Sequence, residues 1–105
     1  MATLLTAASA TTDIGTGVNL PESKLYRVYV VWTGASITGG VLTLETAQSE
    51  GYAATWAVLE AFTHTNASGV QSSYYWGPLA AVRARVSTTV VGGTVSVEFL
   101  PLGPG

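Results

Sequence analysis

Residues 77–100 read GPLAAVRARVSTTVVGGTVSVEFL, and this stretch decides the predicted fold class. Apolar and polar residues alternate before the glycine pair, and the same alternation returns after it. A period of two is typical of strands with one buried and one solvent face. Gly92 and Gly93 allow a tight reversal between them, so the pattern predicts a β-hairpin. Its predicted inward residues are Ala80, Val82, Ala84, Val86, Val95, Val97 and Phe99.

The outward face of this predicted hairpin carries ion-pair candidates. With a loop of about four residues, Arg85 lies across from Glu98, and a slip of two residues puts Arg83 there instead. Glu45, on a neighbouring predicted strand, is a further partner for either arginine, and Arg27 is a further candidate partner of Glu45 or Glu98. An exposed pair contributes at most about 1 kcal/mol. We therefore expect these charges to form a ladder that sets strand register more than it stabilises the fold.

The rest of the chain shows similar strand patterns. Residues 24–32 form the strongest predicted strand, and both of its faces are largely apolar, which indicates a central position. Further strands are predicted over 37–46 and 53–62, although alanine, leucine and glutamate in the latter also favour helix. A polar loop is predicted over 63–73, before a short strand that begins at Tyr74.

Seven or eight short strands without a convincing helix predict an all-β fold, a single antiparallel two-sheet β-sandwich. Jelly-roll and immunoglobulin-like connectivities are both compatible with this pattern. The 105 residues have the size of one domain, so we predict one sandwich over 1–105. Residues 1–20, rich in alanine, threonine and glycine, are predicted to form an N-terminal arm or an edge strand.

Composition points to a chain whose surface is covered by partners. Charged residues make up only 10% of the sequence, against about 25% in ordinary soluble domains, and the mean hydropathy is +0.39. No apolar run approaches the roughly 18 residues of a membrane helix, and the N-terminus lacks the features of a secretion signal. With four basic residues and a net charge of −2, nucleic-acid binding is not expected.

The chemical inventory predicts no enzyme. The single histidine, His64, lies in a polar segment without an obvious nucleophile, and the six carboxylates are scattered. There is no cysteine for thiol catalysis or metal ligation. We therefore predict no catalytic residue, no metal site and no cofactor.

Aromatic residues are the features with a functional interpretation. Tyr74, Tyr75 and Trp76 are consecutive, so at least one of them points away from the core of a sandwich. Exposed tyrosine and tryptophan suit protein interfaces and sugar stacking alike. The predicted partner-interface residues are Leu4, Leu5, Tyr52, Tyr74, Tyr75 and Trp76.

The segment Gly-Pro-x-x-x-Val-Arg-Ala-Arg-Val, from Gly77, followed by Gly-Gly-Thr-Val-x-Val, from Gly92, also carries a family resemblance. It resembles the closing hairpin of small β-sandwich structural proteins of tailed bacteriophages. The resemblance extends upstream to 39–45, GGVLTLE, and 55–59, TWAVL. It implies no catalytic residues.

What the resemblance implies is a virion structural protein, most simply a head decoration or cement protein that binds and stabilises the capsid. Its expected partners are a capsid or other virion protein and further copies of itself, as in a trimer, and its expected location is the virion, after assembly in the host cytoplasm. A tail or neck component is a near variant. The alternative hypothesis is a carbohydrate- or receptor-binding sandwich that uses exposed tyrosine and tryptophan to bind a glycan.

Overall fold

The computed structural model describes residues 2–15, 18–19, 25–47, 56–76 and 81–101. All the regular secondary structure in this part of the chain is β-strand, which confirms the predicted all-β fold. The eight strands are β1 (Ala2–Ala8), β2 (Val18–Asn19), β3 (Leu25–Thr33), β4 (Gly39–Ala47), β5 (Ala57–Thr63), β6 (Gly69–Trp76), β7 (Ala81–Val91) and β8 (Thr94–Pro101).

The strand pairing is that of one long hairpin rolled onto itself. β1 pairs with β8, β2 with β7, β3 with β6 and β4 with β5, all antiparallel. Two further pairs, β3 with β8 and β4 with β7, join these into sheet I, in the order β1-β8-β3-β6, and sheet II, in the order β2-β7-β4-β5. The predicted two-sheet sandwich is therefore confirmed, and its strand order is that of a jelly roll.

The predicted hairpin between β7 and β8 is wrong, because the two strands belong to different sheets. Gly92 and Gly93 carry the chain from sheet II across to sheet I. The described residues predicted to face inward on these strands are nevertheless buried, namely Val82, Ala84, Val86, Val95, Val97 and Phe99. Ala80 lies outside the described residues. Two strands that face each other across a core show the same alternation as two strands paired side by side, so the pattern alone does not separate these arrangements.

Close backbone contacts explain the glycines at this crossing. Gly92 has φ +90°, a conformation that favours glycine, and a Cβ there would lie 2.0 Å from the carbonyl oxygen of Ser36. A Cβ on Gly93 would lie 2.4 Å from the carbonyl oxygen of Thr33. The crossing therefore packs against the loop that joins β3 to β4.

β3 is an interior strand of sheet I, as predicted, and lies between β8 and β6. Its alternate residues, from Tyr26 to Trp32, are fully buried, while those between them are half-buried on the outer face. The largest fully buried side chains of the core are Trp32, Tyr26, Phe99, Leu42, Leu44, Val28, Val30, Val82, Val86, Val95 and Val97.

The N-terminal segment belongs to both sheets. β1 is an edge strand of sheet I, and its register against β8 shifts twice. Backbone hydrogen bonds then attach the chain to β7 of sheet II: Gly15 donates to the carbonyl oxygen of Ala84, while residues 13 and 9 accept from the N–H groups of Val86 and Val90. The described part of the predicted arm is thus folded onto its own sandwich.

β6 is longer than predicted. Residues 69–73, predicted as loop, continue the strand and pair with β3 over all eight residues of β6. Polar side chains made this segment resemble a loop. Ser72 lies on the solvated outer face, whereas Gln71 points inward and its amide is satisfied by hydrogen bonds with Trp32 and Thr63. This extension positions Ser72 beside Tyr74 on the outer face of sheet I.

Candidate functional site

The outer face of sheet II carries three of the six charged side chains in the described strands, Glu45, Arg83 and Arg85. Glu45 is only 5% exposed, although it points away from the core. Its Oε1 accepts a hydrogen bond from Arg83 Nε at 2.7 Å, and its Oε2 accepts one from Arg85 Nε at 3.0 Å. The guanidinium carbon of Arg83 lies 4.6 Å from the centre of the Trp56 ring. These contacts satisfy the carboxylate, so this cluster holds strands together and leaves little charge for a ligand.

Glu98, the fourth predicted ion-pair residue, lies apart from this cluster. It is in sheet I, opposite Tyr29 on β3 and Thr3 on β1. The structure therefore brings together Glu45, Arg83 and Arg85 but does not form the predicted Arg85–Glu98 pair. The physical reason is the crossing at Gly92, which puts β8 in the other sheet.

The outer face of sheet I carries an arginine between two tyrosines. The guanidinium carbon of Arg27 lies 5.0 Å from the ring centre of Tyr29 and 4.7 Å from that of Tyr74. Its Nη1 donates to the Tyr74 hydroxyl, and its Nη2 donates to Ser72 Oγ at 3.2 Å. Strand register produces this arrangement, because Arg27 lies opposite Tyr74 and Tyr29 lies opposite Ser72.

We call this surface the tyrosine face. It is mainly apolar and aromatic, and Arg27 and Glu98 are the only charged residues in the four strands of sheet I. Arg27 Nε is buried and has no hydrogen-bond partner within the described chain, so contact with the rings partly replaces its lost solvation. The residues of the tyrosine face are Leu25, Arg27, Tyr29, Val31, Val70, Ser72, Tyr74, Glu98 and Leu100.

The remaining predicted interface residues are distributed differently. Tyr74 is 53% exposed, whereas Leu4 lies in the core and Leu5 packs partly against it. Tyr75 points inward, with its ring stacked on Phe99. Tyr52 and the side chain of Trp76 lie outside the described residues. The structure thus places only Tyr74 of the described candidates on a free surface.

Tyr75 instead links the two sheets. Its hydroxyl donates to Glu60 Oε1 at 2.5 Å. Burial is the main cause that raises the pKa of Tyr75 well above its ordinary value, and the Glu60 carboxylate adds to the effect. The hydroxyl therefore remains protonated and serves as a structural donor.

Sequence reasoning missed the contributions of Arg27, Tyr29 and Ser72 to this site. One signal was present, since Arg27 interrupts an otherwise apolar outward row on the central strand. The partner residues depend on the β3–β6 register, which was hidden because residues 69–73 were predicted to be a loop.

The single histidine of the sequence, His64, directly follows β5. Nδ1 of His64 lies 3.0 Å from the carbonyl oxygen of Thr65. No group of three or more potential metal ligands occurs in the described ranges. The same part of the chain contains no helix long and apolar enough to cross a membrane.

No protein-family model matches the sequence, and no curated protein matches it significantly. Fold and surface define the class of the chain: a jelly-roll β-sandwich with an aromatic outer face of low charge.

Proposed function

We propose that this chain is a non-enzymatic structural protein of a virus particle, a decoration or cement protein that binds the capsid of a tailed bacteriophage as a homo-oligomer. The observation that carries this proposal is the position of Arg27 between Tyr29 and Tyr74, on a face with one other charged residue. The tyrosine face is the surface that binds the shell.

The composition of this face suits a protein partner. The cores of protein interfaces are depleted in most charged residues and enriched in tyrosine and arginine, and these two types often carry much of the binding energy. Arg27 is also held in place by two rings and two side-chain hydroxyls before any partner arrives. Less conformational entropy is therefore lost when it is buried in an interface.

The architecture adds independent support. Jelly rolls recur in viral capsid and lectin domains, and the resemblance of the segments around Gly77 and Gly92 leads to phage structural proteins. A standard interface buries about 800 Å² on each partner, and apolar burial contributes about 25 cal/mol per Å². A rigid sandwich bound to the shell in many copies would reinforce the lattice. The same face would serve a tail or neck position.

Binding to capsid shells assembled without this protein tests the proposal. We expect the wild-type protein to sediment with such shells and Val31→Asp, which puts a charge in the tyrosine face, to lose most of this binding. Val58→Asp is the matched control, because Val58 is exposed on sheet II, away from the tyrosine face. Absence of wild-type binding, or equal loss in both variants despite normal folding, would overturn the proposal.

A glycan-binding function is less well supported by the aromatic geometry. One side of the Tyr74 ring faces Arg27, and Tyr75 is turned into the core. The described residues therefore do not form a free row of stacking rings. Glycan-array binding that disappeared in Tyr74→Ala would favour this alternative.

A further inference from the structure

We propose that β6 is an association site for a second copy of this chain, whose own β6 pairs antiparallel with it across a two-fold axis at Ser72. This inference specifies the self-association within the proposed function and rests on it. The product is a continuous eight-stranded sheet made from two copies of sheet I.

β6 has the properties of an unprotected sheet edge. In the described part of the chain, no strand pairs with β6 on the side away from β3. Proteins commonly protect such edges with charges, proline, bulges or very short strands. β6 has eight residues in unbroken register with β3 and contains neither a charged residue nor a proline.

The other edge strands do carry these protective features. β1 has two register shifts and a residue with positive φ, Ala7. β2 is two residues long, and β5 has a register shift and carries Glu60. Among the described strands, β6 is therefore the edge best suited to accept another strand.

The exposed side chains of β6 determine the register of the pair. Val70 and Tyr74 are 62% and 53% exposed, both on the outer face and both two residues from Ser72. Directly opposed residues in an antiparallel pair must share a face. With Ser72 opposite Ser72 of the second copy, Val70 of each chain lies opposite Tyr74 of the other. This register therefore gives two equivalent contacts between Val70 and Tyr74, one on each side of the axis, and they cover the exposed hydrophobic residues of both copies.

β6 is also held rigidly enough to act as a template. Gln71 accepts a hydrogen bond from Trp32 Nε1 at 2.8 Å and donates to the carbonyl oxygen of Thr63 at 2.9 Å. Tyr75 bonds to Glu60. These inward contacts fix the strand from the core side, so its edge does not need to become ordered on binding.

Charge does not oppose the two-fold pair. Residues 69–76 are uncharged, so like charges never face each other across the new junction. The two Arg27 residues would lie three strand spacings apart across the sheet and four residues apart along it, roughly 20 Å in all, which exceeds the screening length of about 8 Å at physiological salt. A two-fold pair gives dimers or even-numbered assemblies rather than a trimer.

Cysteine cross-linking tests the axis directly. The chain has no cysteine, so Ser72→Cys gives one thiol per copy, opposite its equivalent. Under mild oxidation we expect Ser72→Cys to form disulfide-linked dimers. Thr3→Cys, exposed on the opposite edge strand of sheet I, is the control that should stay largely uncross-linked. Equal cross-linking in the two variants would overturn the proposal.

The mass in solution provides a second test that does not depend on disulfide geometry. We expect an even-numbered wild-type oligomer, and a monomer for Ser72→Lys, because two ammonium groups would then face each other, each beside Arg27 of its own chain. Thr3→Lys should keep the wild-type mass. A monomeric wild-type protein, or a Ser72→Lys variant with the wild-type mass, contradicts the pairing.

The two proposals fail separately. If Ser72→Lys keeps the wild-type mass while Val31→Asp abolishes shell binding, the β6 pair is wrong and the proposed function stands. If the β6 pair forms but no shell binds the protein, the proposed function is wrong instead.

Discussion

The hydroxyl of Tyr75 on β6 donates a hydrogen bond to Glu60 Oε1 on β5, and this bond of 2.5 Å joins edge strands of two different sheets. A second bond, from Gln71 to the carbonyl oxygen of Thr63, connects the same two strands. β5 and β6 share no backbone ladder. Side chains therefore hold the sandwich together along this side.

We expect Tyr75→Phe to lower the free energy of unfolding by about 1 kcal/mol, because it removes the bond to Glu60 but keeps the ring on Phe99. Since burial and Glu60 raise the pKa of Tyr75, the unfolded chain loses this proton first, near pH 10. The contribution of the protonated Tyr75 hydroxyl to the free energy of unfolding is therefore present below about pH 10 and is lost at higher pH. Urea unfolding of the wild-type protein and Tyr75→Phe, from neutral pH to above about pH 10, measures this contribution. Equal stability of the two proteins at neutral pH would contradict the prediction.

Glu45 and Glu98 offer a matched pair of substitutions. Glu45→Gln removes the charge that two arginines share, and we expect the free energy of unfolding to fall by about 2 kcal/mol. This loss is smaller than for a fully buried ion pair, because Arg83 and Arg85 are partly exposed. Glu98 forms no ion pair with the described residues, so Glu98→Gln should change stability by less than about 0.5 kcal/mol. Denaturant unfolding gives both values, and equal losses would argue against the cluster.

The crossing between the sheets can be tested at its glycines. Gly92→Ala puts a Cβ against the Ser36 carbonyl oxygen and forces alanine to adopt φ +90°. We therefore expect the free energy of unfolding to fall by about 3 kcal/mol, or the variant to fail to fold. At Gly39 the nearest atom to a new Cβ is 3.7 Å away, so Gly39→Ala should be neutral or stabilise the fold by up to about 1 kcal/mol. Thermal unfolding compares them, and equal stability of the two variants would rule out a tight crossing.

The alternation of β3, β7 and β8 was sufficient to predict the fold class, because burial on one face imposes a period of two. It did not predict which strands pair. The stretch around Gly92 has the same composition whether the chain returns beside itself or crosses the core, and the choice depends on contacts with the distant loop at Ser36. Pairing is a long-range property that this local pattern does not contain.

For the candidate site, too, the sequence predicted only part of the arrangement. Consecutive tyrosines had to point to opposite faces, but only the register with β3 shows that Tyr74 is outside and Tyr75 inside. The cluster of Arg27 with Tyr29 depends on the same register. Glu45 was predictable as a partner of Arg83 or Arg85, whereas its burial depends on its pairing with both arginines, which the sequence pattern did not predict.

The turn after β1 predicts a response to acid. Asp13 Oδ2 accepts hydrogen bonds from the backbone N–H groups of Ser9 and Ala10, both at 3.0 Å, and these bonds lower the pKa of Asp13. The ionised carboxylate thus stabilises the segment that passes from sheet I to sheet II. Because the pKa of Asp13 is lower in the folded chain than in the unfolded one, the stabilisation by its carboxylate is fully present above the unfolded-state pKa of about 3.9. It is lost as the pH falls through the folded-state pKa.

We therefore expect Asp13→Ala to be less stable than the wild-type protein at neutral pH, with a difference that shrinks in acid as the wild-type carboxylate becomes protonated. Urea unfolding at about pH 7 and about pH 3, on either side of the ordinary aspartate pKa, measures that difference. Thr12→Ala, an exposed neighbour in the same turn, controls for the effect of alanine on the local backbone. A difference between wild type and Asp13→Ala that stayed constant with pH would show that the carboxylate charge does not stabilise this turn.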